Sequence, residues 1–496
     1  MATRSVSNLL LRSNLRCFAR PLASAASSSS SSSFAAITID DKHDFSPAST
    51  LTRNTCSATT TLDLTDHEKL FASVPTPKLL RASANLQLAA MEYMVDFGMW
   101  VMNSKLMEVN LLREIVVRTV RHTFYEHFCA GENVEEAVRC VLKMNETAGL
   151  RGMLVYGVEH TDDNSACDQN LNRFLQTVES AGSLSLSSVS FVIVKITAIC
   201  PISLLRRVSD LLRWQYKNPS FNLQWKLNTF PIFTDSSPLY HTLKEPQPLT
   251  HEEEIDLQLG HQRLLKIFEK CLEANVPLSI DAEDTWLQPA IDYLTYSSAI
   301  LYRKFDNPIV YATMQTYLKD ARERLFLAAK HAEKLGVQMG FKLVRGAYMS
   351  SERKLASSLG YESPIHNNIQ ETHACFNDCA SFMLENIANG YGGVVLATHN
   401  VESGQLAAAK AEELGIGKGN KRLEFAQLYG MADALSFGLR NAGFKVSKYM
   451  PFGPVELAMP YLLRRAEENR GLLSTSALDR ELMRKELRRR LKAIIL

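Results

Sequence analysis

Two adjacent arginines, Arg464 and Arg465, stand in the run Pro460-Tyr-Leu-Leu-Arg-Arg-Ala-Glu-Glu-Asn. A guanidinium offers a planar fork of donors that matches a carboxylate at two points, so such a pair is suited to gripping an acid. The plainer reading is a solvated helix surface paired with Glu467 and Glu468, which is worth little energetically. Lys195 interrupts the apolar run 191–197, and a lone buried lysine is more often a satisfied core ion than a reagent. It is not alone. Asp281 closes Leu278-Ser-Ile-Asp, and Gln315 follows Tyr311-Ala-Thr-Met. Lys342, Arg345 and Tyr348 mark the run 341–348, and Thr398, His399 and Asn400 follow 393–397. Gln427 and Tyr429 follow 423–426, and Tyr449 follows 444–446. Seven apolar runs ending in polar groups are harder to reconcile with accident than any one of them. With Lys195 beside the arginines, three cations would converge on one anion. A lysine on a strand could instead serve as a Schiff-base nucleophile, as in an aldolase-type lyase.

These residues need a frame that brings the ends of successive apolar runs together. Eight runs (152–156, 191–199, 277–280, 309–312, 339–344, 393–397, 423–426 and 444–446) alternate with amphipathic stretches such as 254–274, 318–335, 369–389 and 402–414. Continuous apolar strands separated by helices signal a parallel sheet buried on both faces. Eight such units over residues 149–475 predict an α/β fold, a (β/α)8 TIM-type barrel, with an open doubly wound sheet as the alternative. Barrel enzymes gather their chemistry at the C-terminal ends of the strands, where the polar groups fall. The connection 201–276, between strands 2 and 3, is far longer than one helix needs and carries Trp214 and Trp225. Such an insertion is either functional or packed as an extra subdomain.

Ahead of the barrel, residues 66–148 read as an N-terminal helical arm. Leu111, Leu112, Ile115 and Val116 form a stripe expected to pack on the larger body. Glu135 and Glu136, soon after Gly131, suit the positive end of the next helix. Residues 1–39 hold no acid and four arginines in an apolar, serine-rich sequence, the composition of a mitochondrial or chloroplast transit peptide. Residues 40–65 stay Ser/Thr-rich and read as a disordered linker. A basic C-terminal helix is expected over 476–496; its amphipathic character suits either an anionic membrane or solvent.

Composition excludes some classes. Of 496 residues, 46% are hydrophobic and the formal charge is +2, without the basic bias of a nucleic-acid binder. No stretch reaches the roughly 18 uncharged apolar residues of a spanning helix. Nine cysteines follow no framework. Cys375, Cys379 and His373 fall short of a zinc set, so no metal is expected. The glycines of Gly415-Ile-Gly-Lys-Gly-Asn precede a strand rather than follow one, which excludes a Rossmann-type dinucleotide loop there.

Four motifs in order, Ser279-Ile-Asp-Ala-Glu, Lys342-Leu-Val-Arg-Gly-Ala-Tyr-Met, Ala397-Thr-His-Asn and Tyr461-Leu-Leu-Arg-Arg, resemble the proline dehydrogenase family, and with the leader the chain looks most like its plant mitochondrial members. The resemblance spans roughly 153–471. It implies non-covalent FAD at the barrel mouth, oxidation of L-proline to 1-pyrroline-5-carboxylate as the first step of proline catabolism, and ubiquinone as electron acceptor. It also implies peripheral contact with the matrix side of the mitochondrial inner membrane; hydroxyproline is the nearest alternative substrate. Lys195, Arg464 and Arg465 would clamp the substrate carboxylate, with Asp281 balancing them. Ala347, Tyr348, Leu428, Tyr449 and Tyr461 would wall the ring. Flavin contacts would fall to Gln315, Lys342, Val344, Gly346, Thr398, His399, Asn400, Arg465 and Glu468. Catalysis would rest on Lys195, Asp281, Tyr449, Arg464 and Arg465. A non-catalytic barrel acting as scaffold or amino-acid sensor is the remaining rival.

Overall fold

Eight parallel strands close on themselves in chain order: β1 (Arg151–Tyr156), β2 (Val189–Val194), β3 (Leu278–Ile280), β4 (Val310–Gln315), β5 (Gly340–Val344), β6 (Gly393–Ala397), β7 (Leu423–Leu428) and β8 (Val446–Phe452), the last pairing with β1. The fold is a closed (β/α)8 barrel. The computed structural model describes residues 62–495 apart from 103, 105–107, 185–187, 303–305 and 472, so the leader and most of the linker lie outside the described residues. β2, Val-Ser-Phe-Val-Ile-Val, is buried throughout, as a strand between barrel interior and outer helices must be. Met153, Val155, Phe191, Ile193, Tyr311, Val395 and Ala426 fill the barrel. Tyr311 fits because β5 opens on glycine: a Cβ at Gly340 would lie 2.3 Å from its ring.

Two strand boundaries differ from the sequence reading. β2 stops at Val194, and Lys195 leads into a single 3-10 turn, Ile196–Ala198, rather than continuing extended to residue 199. β8 begins where the apolar run 444–446 ends. Its polar residues are satisfied internally: Ser447 bonds Ser190 and Glu424, and Lys448 reaches Met431 O and Asp433, each at 2.7 Å. Tyr449 is therefore in mid-strand.

Among the described residues, α1 (His67–Phe71), α2 (Thr76–Ala89), α3 (Glu92–Met102), α4 (Asn110–Val120) and α5 (Val134–Ala148) precede the barrel, with one short helical turn, Glu126–Phe128, between the last two. The packed chain starts ahead of residue 66, because Leu62 and Leu64 are buried. The stripe on α4 is not packed: Leu111 is 68% exposed and Ile115 54%, and no residue of α4 is buried. A π turn, Arg121–Tyr125, follows α4, and the face that meets the body is Val117 and Val120 at the end of α4 with Phe124, Tyr125 and Phe128 past it. α5 begins where Asn133 accepts from Glu136 N and ends at Gly149 in the left-handed conformation.

The barrel helices are α6 (Asn164–Gly182), α7 (Ile202–Lys217), α8 (His251–Ala274), α9 (Gln288–Leu301), α10 (Ala321–Lys334), α11 (Met349–Ser358), α12 (Ile369–Ala388), α13 (Val401–Glu413), α14 (Asp433–Asn441) and α15 (Val455–Gly471), with α16 (Leu473–Ile495) last. α8 packs along α6 and α9, which makes it the outer helix between β2 and β3. It starts on a capping box between Thr250 and Glu253. α7 and residues 218–250 are thus the inserted part, and they pack as a subdomain. Ser209 of α7 bonds Leu287 O and Ala290 N, Trp225 meets Tyr293 edge-on at 5.6 Å, and Ser237 donates to Asp320 at 2.7 Å.

The basic C-terminal helix is used inwardly. α16 packs on α1 and α2, with Leu482, Met483 and Glu486 buried. Glu486 accepts from Arg489 and Arg490, and Arg490 also donates to Phe71 O and Val74 O at 2.7 Å. Burial opposes the Glu486 charge, but Arg489, Arg490 and His67 outweigh it and hold the carboxyl down at about 2. A depressed folded pKa gives stability above the unfolded value, lost as pH falls toward the folded one. Glu486→Gln should cost about 1–3 kcal/mol in urea unfolding at pH 7. The deficit should narrow as pH drops below about 4.5.

Candidate active site

Asp281, just past β3, is the centre of the barrel mouth. Its Oδ1 binds the Lys342 ammonium from β5, and its Oδ2 accepts from Tyr449 OH of β8 at 2.8 Å and lies 3.5 Å from Lys195 Nζ past β2. Burial works against the carboxylate, but Lys342 and Lys195 overcome it and hold Asp281 below the ordinary range. Burial likewise opposes the Lys195 charge, and surrounding anions, Asp281 and Glu159 among them, raise it well above the ordinary value. A Schiff-base nucleophile needs the opposite shift, toward a free amine.

Glu159 completes the cluster. It lies on the β1–α6 connection, takes Arg464 of α15 at both oxygens (3.0 and 2.5 Å), and lies 3.5 Å from Lys195. Burial raises its pKa, but Lys195 and Arg464 pull it down further, so it is ionised. Among the described residues, Lys195, Lys342 and Arg464 thus face two carboxylates, Asp281 and Glu159, which leaves a positive charge over. Next to Glu159, His160 holds a left-handed backbone (φ 54°) and reaches Glu283, which is buried and accepts from Thr197 at 2.7 Å. Tyr461 stacks against Tyr449 at 6.5 Å, with the buried Arg465 guanidinium 5.2 Å from the Tyr461 ring. Tyr348 caps α11, half-buried; Leu428 ends β7, half-buried, and Ala347 is exposed.

A second group lies across β5 and β6. Arg345 donates to Thr398 Oγ1 (2.6 Å), Ser403 Oγ (2.9 Å) and His373 Nδ1 (3.0 Å) and covers the Phe376 ring at 4.5 Å. None of these partners is an anion, and burial pushes the guanidinium down to about 10. Asn400 caps α13 through Ser403 N. His399 Nε2 accepts from Leu428 N at 3.1 Å, while burial, with Lys448 and Arg465, keeps the ring near 3. It is neutral, with its proton on Nδ1. Gln315 spans Glu283 O and Ala347 N. Val344 ends β5, half-buried, and Gly346 follows with φ 146°, where a Cβ would strike the Tyr317 ring at 2.4 Å.

The structure therefore brings Lys195, Asp281, Lys342, Tyr449, Tyr461 and Arg464 together, and Thr398, His399 and Asn400 beside Arg345. Lys342 engages Asp281 and so belongs with the anion-facing group. Tyr429 turns away from it, its hydroxyl meeting Cys140 of α5. The side chain of Glu468 lies outside the described residues. Sequence reasoning missed Glu159, the polar group past the one strand whose end was passed over, although it follows Tyr156 by three residues.

Residues 142–477 match the family model for proline dehydrogenase. The chain belongs to the proline dehydrogenase family. The family model covers the barrel and α15 and leaves out α1 to α4. Two mitochondrial proline dehydrogenases of Arabidopsis thaliana, numbered 2 and 1, are each 62% identical over 434 residues, 87% of this chain and 91% and 87% of theirs. Human hydroxyproline dehydrogenase is 31% identical over 84% of this chain and 91% of its own. Among solved structures, proline utilization A of Bdellovibrio bacteriovorus superposes with a TM-score of 0.60 at 20% identity, over 85% of this chain and 44% of that one. That likeness is one of fold.

Asp281→Asn would leave two buried ammonium groups without their shared counter-charge. The variant should lose about 3–5 kcal/mol in urea unfolding. Stability within 1 kcal/mol of the parent would mean that the three groups do not depend on that anion.

Proposed function

We propose that the protein oxidises L-proline to 1-pyrroline-5-carboxylate, the first step of proline catabolism, with FAD at the barrel mouth and ubiquinone as acceptor. The reading places it on the matrix side of the mitochondrial inner membrane; the Arabidopsis relatives are mitochondrial proteins by name, which supports the organelle. The observation that carries it is the Glu159–Arg464 pair beside Lys195: a carboxylate already sits bidentate on the guanidinium, in a cluster with positive charge to spare. A substrate carboxylate taking that place would be gripped at two points. Tyr348, Tyr449 and Tyr461 would wall the ring and fix its face. The cations Lys195 and Arg464 disfavour a second ammonium, so they favour the neutral amine that hydride loss requires. Asp281 and Glu159, both held below the usual carboxylate range, are poor proton acceptors and serve as counter-ions.

FAD fits the residues present. Arg345 is half-buried among neutral partners beside the N-terminus of α13, a place suited to a phosphate. Gly346 lets the backbone at the end of β5 lie directly against the Tyr317 ring. Arg345, Thr398, His399 and Asn400, with Gln315, Val344, Gly346, Arg465 and Glu468, would hold the cofactor; when bound, it accepts the hydride. The 62% identity to the two Arabidopsis proline dehydrogenases, against 31% to human hydroxyproline dehydrogenase, favours proline as substrate.

Contact with the membrane is best supported on the N-terminal arm, since the cations Arg489 and Arg490 of α16 are engaged internally. Tyr93, Phe97 and Trp100 recur at i, i+4 and i+7 along α3 and are 63%, 58% and 61% exposed. With Leu111 and Ile115 of α4 they form the kind of apolar and aromatic faces that lie in a bilayer interface. Among the described residues, no helix is long and apolar enough to cross a membrane.

An anaerobic visible spectrum of the purified protein should show a flavin band that bleaches with L-proline and persists with D-proline. A colourless protein that cannot be reconstituted with FAD would remove the reading. Arg464→Met should keep the band and raise KM for L-proline about 10- to 100-fold, the loss of one charge-assisted pair. Phe97→Ser/Trp100→Ser should reduce co-sedimentation with anionic vesicles while leaving turnover with a soluble dye unchanged. Undiminished co-sedimentation would clear the arm of this role.

A further inference from the structure

The inserted segment meets the β3–α9 connection at the barrel mouth through His241 and Arg213. His241, in the 3-10 turn Leu239–His241, places Nε2 2.8 Å from Thr285 Oγ1 on the β3–α9 connection. Thr285 has one hydroxyl proton, and it goes to Glu352 Oε2 at 2.6 Å; its backbone N–H goes to Glu352 Oε1, also at 2.6 Å. The histidine must therefore donate to Thr285 from Nε2. Burial, with Arg213 nearby, pushes the His241 ring down to about 3, so it is a neutral donor across the physiological range. Arg213, fully buried, holds the same connection from α7 through Thr285 O (2.5 Å) and Trp286 O (2.8 Å). Tyr240 stacks on Tyr361 at 5.1 Å, just past α11.

The two bodies fastened here follow β3 and β5, on either side of β4 at the mouth. The β3–α9 connection begins with Asp281 and Glu283, and Glu352 N bonds Tyr348 O at the start of α11. Thr285 and Glu352 are both buried, so a broken link would strand polar groups away from water.

We propose that the insertion is a positioning device, in which His241 orients Thr285 and, through it, Glu352, fixing the distance between the Asp281 connection and the Tyr348 end of α11. His241 is a positioning residue, not a catalytic one. The inference rests on the mouth being the proline site.

The test uses the flavin-loaded full chain with L-proline and a soluble dye. His241→Phe keeps the ring volume and removes the donor; His241→Gln keeps an N–H at similar reach. His241→Phe should lower kcat/KM about tenfold with flavin content retained, a loss equal to one hydrogen bond left unmade, and His241→Gln should recover most of it. Glu352→Gln should cause a similar loss, and the double variant His241→Phe/Glu352→Gln should lose little more than either alone, because both cut one linkage. Parental kinetics in His241→Phe, or additive losses in the double variant, would overturn the proposal. Equal loss of thermal stability in the Phe and Gln variants without recovery of kcat/KM would overturn it too, assigning His241 to packing. Absence of proline turnover by the parent protein would instead defeat the reading of the site.

Discussion

A buried carboxylate shared by two ammonium groups is the constraint around which the mouth is built. Asp281 sits among Lys195, Lys342 and Tyr449, which come from the ends or middles of three strands. Taking these charges out of water is expensive, and only close pairing with matching hydrogen bonds offsets it. The barrel supplies that pairing because its strands are rigid and buried on both faces. A displacement of any one strand would leave a charge uncompensated. The site geometry and the stability of the barrel mouth are therefore one problem.

The arrangement also explains why the clamp is not neutral. Glu159 holds Arg464 in the absence of another acid, which spares the guanidinium from being buried unpaired. Its hold is a surface-side one, on a connection whose neighbour His160 adopts a left-handed backbone. Asp281 is buried, whereas Glu159 is half-buried on the connection between β1 and α6.

The barrel was legible because two-sided burial writes continuous apolar runs into the chain, with polar residues where the runs end. β8 was harder to place, since Ser447 and Lys448 find internal partners and interrupt the apolar pattern without breaking the strand. The stripe on α4 was misplaced because the covered face of that helix is the one with Val117 and Val120, and apolar spacing in a short window does not say which of two apolar faces meets the body. The arginine pair could not be assigned from its own helix: Glu467 and Glu468 stood near in sequence, while the partner of Arg464 is 305 residues away. His241 and Thr285 are separated by 44 residues and meet only through the packing of the insertion. Local patterns fix elements, and long-range pairing fixes the site.

On the proposed function, the mouth is a carboxylate receptor in which Glu159 stands where the substrate acid would. The most direct measurement is a crystal structure of the flavin-loaded protein with a non-oxidisable five-membered cyclic carboxylate bound. The account predicts that the ligand carboxylate pairs with Arg464 and Lys195, with Glu159 displaced from the guanidinium and Asp281 still on Lys342. A ligand bound elsewhere, with the Glu159–Arg464 pair intact, would contradict it.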